Sequence, residues 1–158
     1  MELLRRGWRV LAIDREAAAA EFLQGRVPTH LRSRLTTLVA PMEGLELPPA
    51  DFVHASFSLP FCSPDLFPEL WSTIRTAVRP GGHFAGQLFG DQDAWRGDRP
   101  MSFHSRRDIA VLTRGWKVEM LRETLEEGRS FAGGRRWSPK HWHFFDLILE
   151  KPRTRRTA

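Results

Sequence analysis

The feature that most constrains this chain is the run Arg6-Gly7-Trp8-Arg9-Val10-Leu11-Ala12-Ile13-Asp14, which leads directly into Arg15-Glu16-Ala17-Ala18-Ala19-Ala20. Val10 to Ile13 is unbroken apolar sequence, the pattern of a strand covered on both faces, since a strand with one wet face alternates. Arg15 to Gln24 follows as a short alanine-rich helix, with Asp14 placed to cap it and Gly25 placed to stop it. A buried strand that passes straight into a helix is the repeating unit of a parallel sheet, because a parallel crossover needs a connection of helical length.

The rest of the chain continues the alternation. Leu35 to Val39 reads as a second strand, closed by Ala40-Pro41, and Asp51 to Ser58 as a third. Ser63, Pro64 and Asp65 carry the signals of a helix start: a cap, a proline for the first turn and an acid for the positive end of the dipole. Behind them Phe67, Leu70, Trp71, Ile74 and Val78 recur at three- and four-residue spacing, one buried stripe. Pro80-Gly81-Gly82 ends that helix and turns the chain into a fourth strand, His83 to Phe89. Ser105-Arg-Arg-Asp108 is a capping box opening a helix from Arg106 to Thr113. Trp116 to Glu123 and His143 to Glu150 read as two strands joined by a polar connection, Glu126 to Lys140. With no helix between them they form an antiparallel pair at one edge. The expectation is one α/β domain over residues 1–151, with a basic, disordered tail over residues 152–158.

Composition narrows the function classes. At 158 residues the chain is one domain with room for a core, and 41% apolar with 27% charged residues is ordinary for a globular protein. No apolar run approaches the ~20 residues of a membrane span, and Arg5-Arg6 has no apolar stretch behind it to make a signal peptide. Cys62 is the only cysteine, so an internal disulfide is excluded and a reducing, cytoplasmic setting is expected. The net charge of +5 comes from scattered arginines, which reads as a solvated basic surface rather than a nucleic-acid site. Oligomeric state is not legible.

The strand ends carry a resemblance. Val10-Leu-Ala-Ile-Asp14, Asp51-Phe-Val-His-Ala-Ser-Phe-Ser-Leu-Pro60, Val78-Arg-Pro-Gly-Gly-His-Phe84 and the closing hairpin, in that order, resemble a class I methyltransferase using S-adenosyl-L-methionine. Leu59-Pro-Phe61, Gln87-Leu-Phe-Gly90, Asp93-Ala-Trp95 and Lys140-His-Trp-His143 are similar to a small bacterial branch often labelled tellurite-resistance-like. Together these stretches run roughly from residue 3 to residue 151. The resemblance implies a Rossmann-like sheet, mostly parallel with a closing antiparallel hairpin. It also implies methyl transfer to a small-molecule acceptor.

It implies site residues as well. Asp14, with Arg15 beside it, falls where this family accepts both ribose hydroxyls, and a carboxylate suits that task because it accepts from two donors at once. Ala40 to Glu43 falls where the adenine lies, with Met42 for the base face; Glu43 reads equally as a plain surface acid. Ser56 and Leu59 fall beside the amino-acid end of the cofactor, or else pack a strand end. Phe61, His141 and His143 are the substrate-pocket candidates. On a strand His141 and His143 share a face, and they read equally as a packed, hydrogen-bonded pair; His-x-His brings no clear third ligand, so no metal is expected.

One departure stands out. The family begins with a strand and a Gly-x-Gly-x-Gly loop, and here Met1 to Arg6 corresponds to the end of the helix after that loop. The first strand is thus expected to be absent, leaving a gap in the sheet between the strands at Val10 and Asp51. Two other readings stay open: a fragment of a nicotinamide-dependent oxidoreductase, whose second strand also ends in an acid, and an inactive remnant that acts as a binding module.

Overall fold

The computed structural model describes residues 1–97, 100–132 and 136–153, with the backbone alone at 132 and 136. The chain divides into two compact units, Met1–Leu45 and Glu46–Ala158.

The first unit contains helix α1 (Glu2–Arg5), strand β1 (Val10–Asp14), helix α2 (Ala17–Arg26), a 3-10 turn (Thr29–Arg34) and strand β2 (Leu35–Val39). β1 and β2 pair in parallel, Val10 opposite Leu35 through Asp14 opposite Val39. Leu4, Val27 and Leu31 form its core, with Val10, Leu23 and Leu35 packed against them. Three local expectations are corrected. Asp14 does not cap α2: its Oδ1 accepts the Glu16 amide at 2.9 Å, a turn that sets the helix start after Glu16. Gly25 does not stop α2, which runs on to Arg26 and ends because Pro28 holds Val27 extended. β1 is not covered on both faces, for Leu11 is 36% exposed. The 3-10 turn was not visible in the periodicity.

The second unit contains β3 (Ala50–Ala55), a 3-10 turn (Leu59–Phe61), α3 (Phe67–Ala77), β4 (Val78–Gly90), β5 (Phe103–His104), α4 (Arg106–Leu112), β6 (Lys117–Ala132) and β7 (Arg136–Glu150). The sheet order is β3-β4-β7-β6, with β5 also on β4. β3 and β5 run parallel to β4, while β7 runs antiparallel to both β4 and β6. Among the described residues β1 pairs with β2 alone and β3 with β4 alone. The described strands thus form two separate sheets, one in each unit.

Helix α3 buries Phe67, Leu70, Trp71 and Ile74 of the expected stripe, with Ala77 as its last buried residue. Each of the large side chains contributes about 1.5–3 kcal/mol of transfer free energy. The helix starts later than Ser63, whose carbonyl rather than hydroxyl takes the amides of Leu66 and Phe67 in a preceding turn. Val78, fully buried, opens β4 instead of closing α3. Pro80-Gly81-Gly82 is an irregularity inside β4 rather than a turn before it, and the register slips there against Phe52. A Cβ on Gly82 would stand 2.8 Å from the Asp51 carbonyl, so only glycine lets the strands close at that point. The capping box at Ser105 is complete: Asp108 N–H donates to Ser105 Oγ at 3.2 Å and Ser105 N–H to Asp108 Oδ2 at 2.8 Å. The Ser105 hydroxyl, donating to Asp108 Oδ2 at 2.7 Å, and then the Ser105 amide hold the Asp108 carboxyl below the usual range.

The largest correction lies at the hairpin. The expected polar connection Glu126 to Lys140 is strand for most of its length, with β6 and β7 paired from Lys117–Glu150 out to Ala132–Arg136. Cross-strand contacts sustain this polar ribbon: His141 Nδ1 lies 2.6 Å from Glu127 Oε1, and Phe131 and Trp137 meet at 5.4 Å between centroids. Residues 133–135 of that connection fall outside the described residues. Lys151 is held in place, exchanging backbone hydrogen bonds with Gly81 (2.7 Å) and Gly82 (2.8 Å), and residues 154–158 lie outside the described residues.

Candidate functional site

In the first unit, Asp14 ends β1 exposed to solvent, beside the end of β2. Its carbonyl accepts the Ala40 amide at 3.0 Å, which sets the 40–43 loop next to it. Its Oδ1 is engaged by Glu16 N–H, and Oδ2 has no partner among the described residues. Such a carboxylate has acceptor positions open to a donor pair. Arg15 is exposed and ion-pairs with Glu16 at 3.2 Å. Met42 is half-buried and Glu43 exposed, in a turn closed by Leu45 N–H to the Met42 carbonyl. A shallow hollow of about 110 Å³ adjoins, lined by β1, α2 and Thr37 of β2. Asp14 and Arg15 follow β1, and the Ala40 amide ties the start of the 40–43 loop to that same end of the unit.

In the second unit, β3 ends at Ala55 and the chain turns through Ser56, Phe57 and Ser58 into the 3-10 turn. Leu59 is buried and serves packing, whereas Ser56 is exposed. Phe61 is also exposed, 6.4 Å from Phe89 between ring centroids. Phe57 takes φ +47°, a left-handed conformation that costs a residue with a Cβ about 1–2 kcal/mol.

The two histidines have separate roles. His143 is buried in the interior and both ring nitrogens are engaged: Nδ1 accepts the Gln92 amide at 3.0 Å, so the proton sits on Nε2 and faces Glu123 Oε1 at 3.0 Å. Its ring fills the space against Gly90, where an added Cβ would lie 2.2 Å away. The expectation that His143 lines a pocket is therefore replaced by a packing role, for no nitrogen is left to meet a ligand. His141 is half-exposed and bound to Glu127. Burial raises the Glu123 carboxyl, but hydrogen bonds from Arg106 and His143 outweigh this and hold it below the ordinary range.

Sequence reasoning missed the centre of this region. Lys140 and Asp93 form a buried ion pair, Nζ lying 2.6 and 2.7 Å from the two carboxylate oxygens. Asp93 also accepts the amides of Trp95 (3.0 Å) and His143 (3.1 Å). The same ammonium lies over the rings of Trp142 (3.4 Å), Trp95 (4.1 Å) and Phe89 (4.9 Å). Burial pulls the Lys140 pKa below that of an ordinary lysine, with Asp93 opposing. The available signal was the pair of short stretches Asp93-Ala-Trp95 and Lys140-His-Trp-His143, which meet here.

A cluster of metal-ligand type, His83, Glu119 and Glu150, brings its ligand atoms within 4.8 Å of one another. Lys117 already serves as its cation, 2.7 Å from Glu150 and 3.3 Å from Glu119, and these bonds raise the lysine's pKa. No helix among the described residues is long and apolar enough to cross a membrane.

No protein-family model matches this chain, and no curated protein matches it. Solved structures do. TehB from Haemophilus influenzae matches with a TM-score of 0.74 at 13% identity, over 94% of this chain and 52% of that one. The N-methyltransferase NodS from Bradyrhizobium japonicum, in complex with S-adenosyl-L-homocysteine, matches with 0.66 at 14% identity, over 91% of this chain and 67% of that one. The 1,6-didemethyltoxoflavin-N1-methyltransferase from Burkholderia thailandensis, with 1,6-didemethyltoxoflavin and S-adenosylhomocysteine bound, matches with 0.64 at 18% identity, over 96% and 64%. The chain spans about half the length of TehB. It has the Rossmann-like fold of the S-adenosylmethionine-dependent methyltransferases.

Proposed function

We propose that this chain carries out methyl transfer from S-adenosyl-L-methionine to a small-molecule acceptor. The observation that carries the reading is the Asp14 carboxylate: it ends β1 in solvent with Oδ2 unengaged, beside the 40–43 loop, in a fold that structures such as NodS use with S-adenosyl-L-homocysteine bound. Asp14 would take the ribose hydroxyls as a charged acceptor. Arg15 flanks it, and Met42 and Glu43 would lie at the base. In the second unit, Ser56, Phe61 and His141 are the accessible candidates for the acceptor. The sulfonium cofactor supplies an already activated methyl group. The residues then have to orient the acceptor and keep water out, and a readily deprotonated nucleophile needs no general base.

The test is calorimetric titration of S-adenosylhomocysteine into the 158-residue chain, with NADH titrated in parallel. The expected result is binding of the first compound and not the second, with Asp14→Ala weakening it more than about tenfold, as loss of a charged hydrogen-bond acceptor implies. An unchanged dissociation constant in Asp14→Ala would refute the ribose role. Preference for NADH would favour the oxidoreductase reading.

A further inference from the structure

Phe57 is the only non-glycine residue with positive φ among the described residues. A bulky L residue resists that conformation. Its amide is held by a side-chain relay from three adjacent strands. Phe57 N–H donates to Gln87 Oε1 at 3.3 Å, and Gln87 Nε2 donates to Asp146 Oδ1 at 3.0 Å. Arg122 fixes Asp146 Oδ2 from the other side, Nε at 2.9 Å and Nη2 at 2.8 Å. Gln87, Asp146 and Arg122 stand in one cross-strand rank of β4, β7 and β6, with Asp146 buried.

The ring this relay positions is not buried. Phe57 meets Phe144 edge-on at 5.4 Å and lies 6.1 Å from Phe89, yet remains 40% exposed. Core packing alone calls for neither the left-handed backbone nor the outward ring; strain of this kind is kept where a side chain must be presented. The neighbouring side chains Ser56 and Ser58 are exposed hydroxyls, and the loop from Ser56 to Phe61 carries no charge.

We propose that Phe57 recognises the methyl acceptor, which is a flat, uncharged aromatic ring bearing a hydroxyl or amino group, and that Gln87 is the residue that positions Phe57. The ring of the acceptor packs on Phe57, and its polar group meets the serine hydroxyls. This inference rests on the methyl-transfer reading above, but its binding step stands apart from the cofactor.

The experiment uses naphthalen-2-ol as the probe and its decahydro analogue as the control. Each is titrated into the 158-residue chain without cofactor and followed by ligand-observed NMR. The aromatic probe is expected to bind saturably, and the saturated one about fivefold or more weaker, the scale of one aromatic contact. Phe57→Leu and Gln87→Leu are each expected to weaken the aromatic probe by about fivefold to tenfold. Gln87→Glu sets two carboxylates against each other and weakens it too. Adding Asp146→Asn rebuilds the relay with its donor reversed, and binding returns to within about threefold of the parent. Equal affinity for the two probes, no binding of either, an unaffected Phe57→Leu variant or no rescue by the double swap would each overturn the proposal. Aromatic binding in a chain that takes up no S-adenosylhomocysteine would refute the methyl-transfer reading and leave the binding site standing.

Discussion

Replacing Lys140 by methionine is expected to lower the unfolding free energy by about 3–5 kcal/mol. That is a large part of a net stability that for such domains is roughly 5–15 kcal/mol. The side chains of Lys140 and Asp93 are 1% and 0% exposed, so neither charge has water to fall back on. Methionine keeps the contact with the rings of Trp142, Trp95 and Phe89 that the lysine stem and ammonium now make. It leaves the Asp93 carboxylate buried with only the amides of Trp95 and His143. Asp93→Asn is expected to be as damaging, because the ammonium then has ring faces and no counter-charge. The double variant Lys140→Met with Asp93→Asn holds no buried charge at this place. It should be more stable than the sum of the single losses by about 1–3 kcal/mol. Urea denaturation of the four proteins measures this, and strictly additive losses would show that the two residues act independently.

The second large effect is acid sensitivity in a range above that of the carboxylates. Burial lowers the His104 pKa from 6.5 to about 4, with the Asp108 charge opposing. Its Nε2 is buried without a hydrogen-bond partner, and its ring packs 4.5 Å from that of Phe67. The folded state holds this ring neutral, whereas an unfolded chain binds a proton near pH 6.5. The unfolded state therefore binds more protons between those two values, and stability falls as the pH drops from 6.5 towards 4. The full loss is about 3 kcal/mol, reached below the folded pKa. The lowered carboxyls of Asp108, Glu123 and Glu150 add their own losses only at lower pH, as each is protonated. His104→Phe should remove the decline above about pH 4.5, the ordinary glutamate range, without destabilising the protein at neutral pH, since it replaces an unpaired buried nitrogen with an apolar edge. An unchanged slope in that variant would place the proton uptake elsewhere.

Much of the fold was legible because it rests on periodicity. The stripe from Phe67 to Ile74, the unbroken run Val10 to Ile13 and the Ser105 capping box each follow from local chemistry, and each is where the residues placed it. The misreadings have tertiary causes. Glu126 to Lys140 looks like a polar loop because its strand character depends on partners across the hairpin, such as Glu127 with His141 and Phe131 with Trp137. β5 depends on its pairing with Phe89 and Gly90, which two residues of sequence do not announce.

The site divides in the same way. Asp14 and the 40–43 loop are strand-end positions, and a strand end can be read from sequence. The Lys140–Asp93 pair joins a strand to a turn and the Gln87–Asp146–Arg122 relay joins three strands, all far apart in sequence, so no spacing along the chain points to them. His143 misled because alternation on a strand gives a residue's face and not what covers that face; Gly90 beneath its ring makes the space it fills.

The central claim, that the Asp14 end of the first unit holds the nucleoside of S-adenosyl-L-methionine, is tested most directly by backbone amide NMR. The 158-residue chain, labelled with nitrogen-15, is titrated with S-adenosylhomocysteine. The account predicts saturable shifts that are largest at Asp14, Arg15 and the amides from Ala40 to Glu43 and are lost in Asp14→Ala. Saturable shifts that leave those amides unmoved, or no saturable shifts at all, would contradict it.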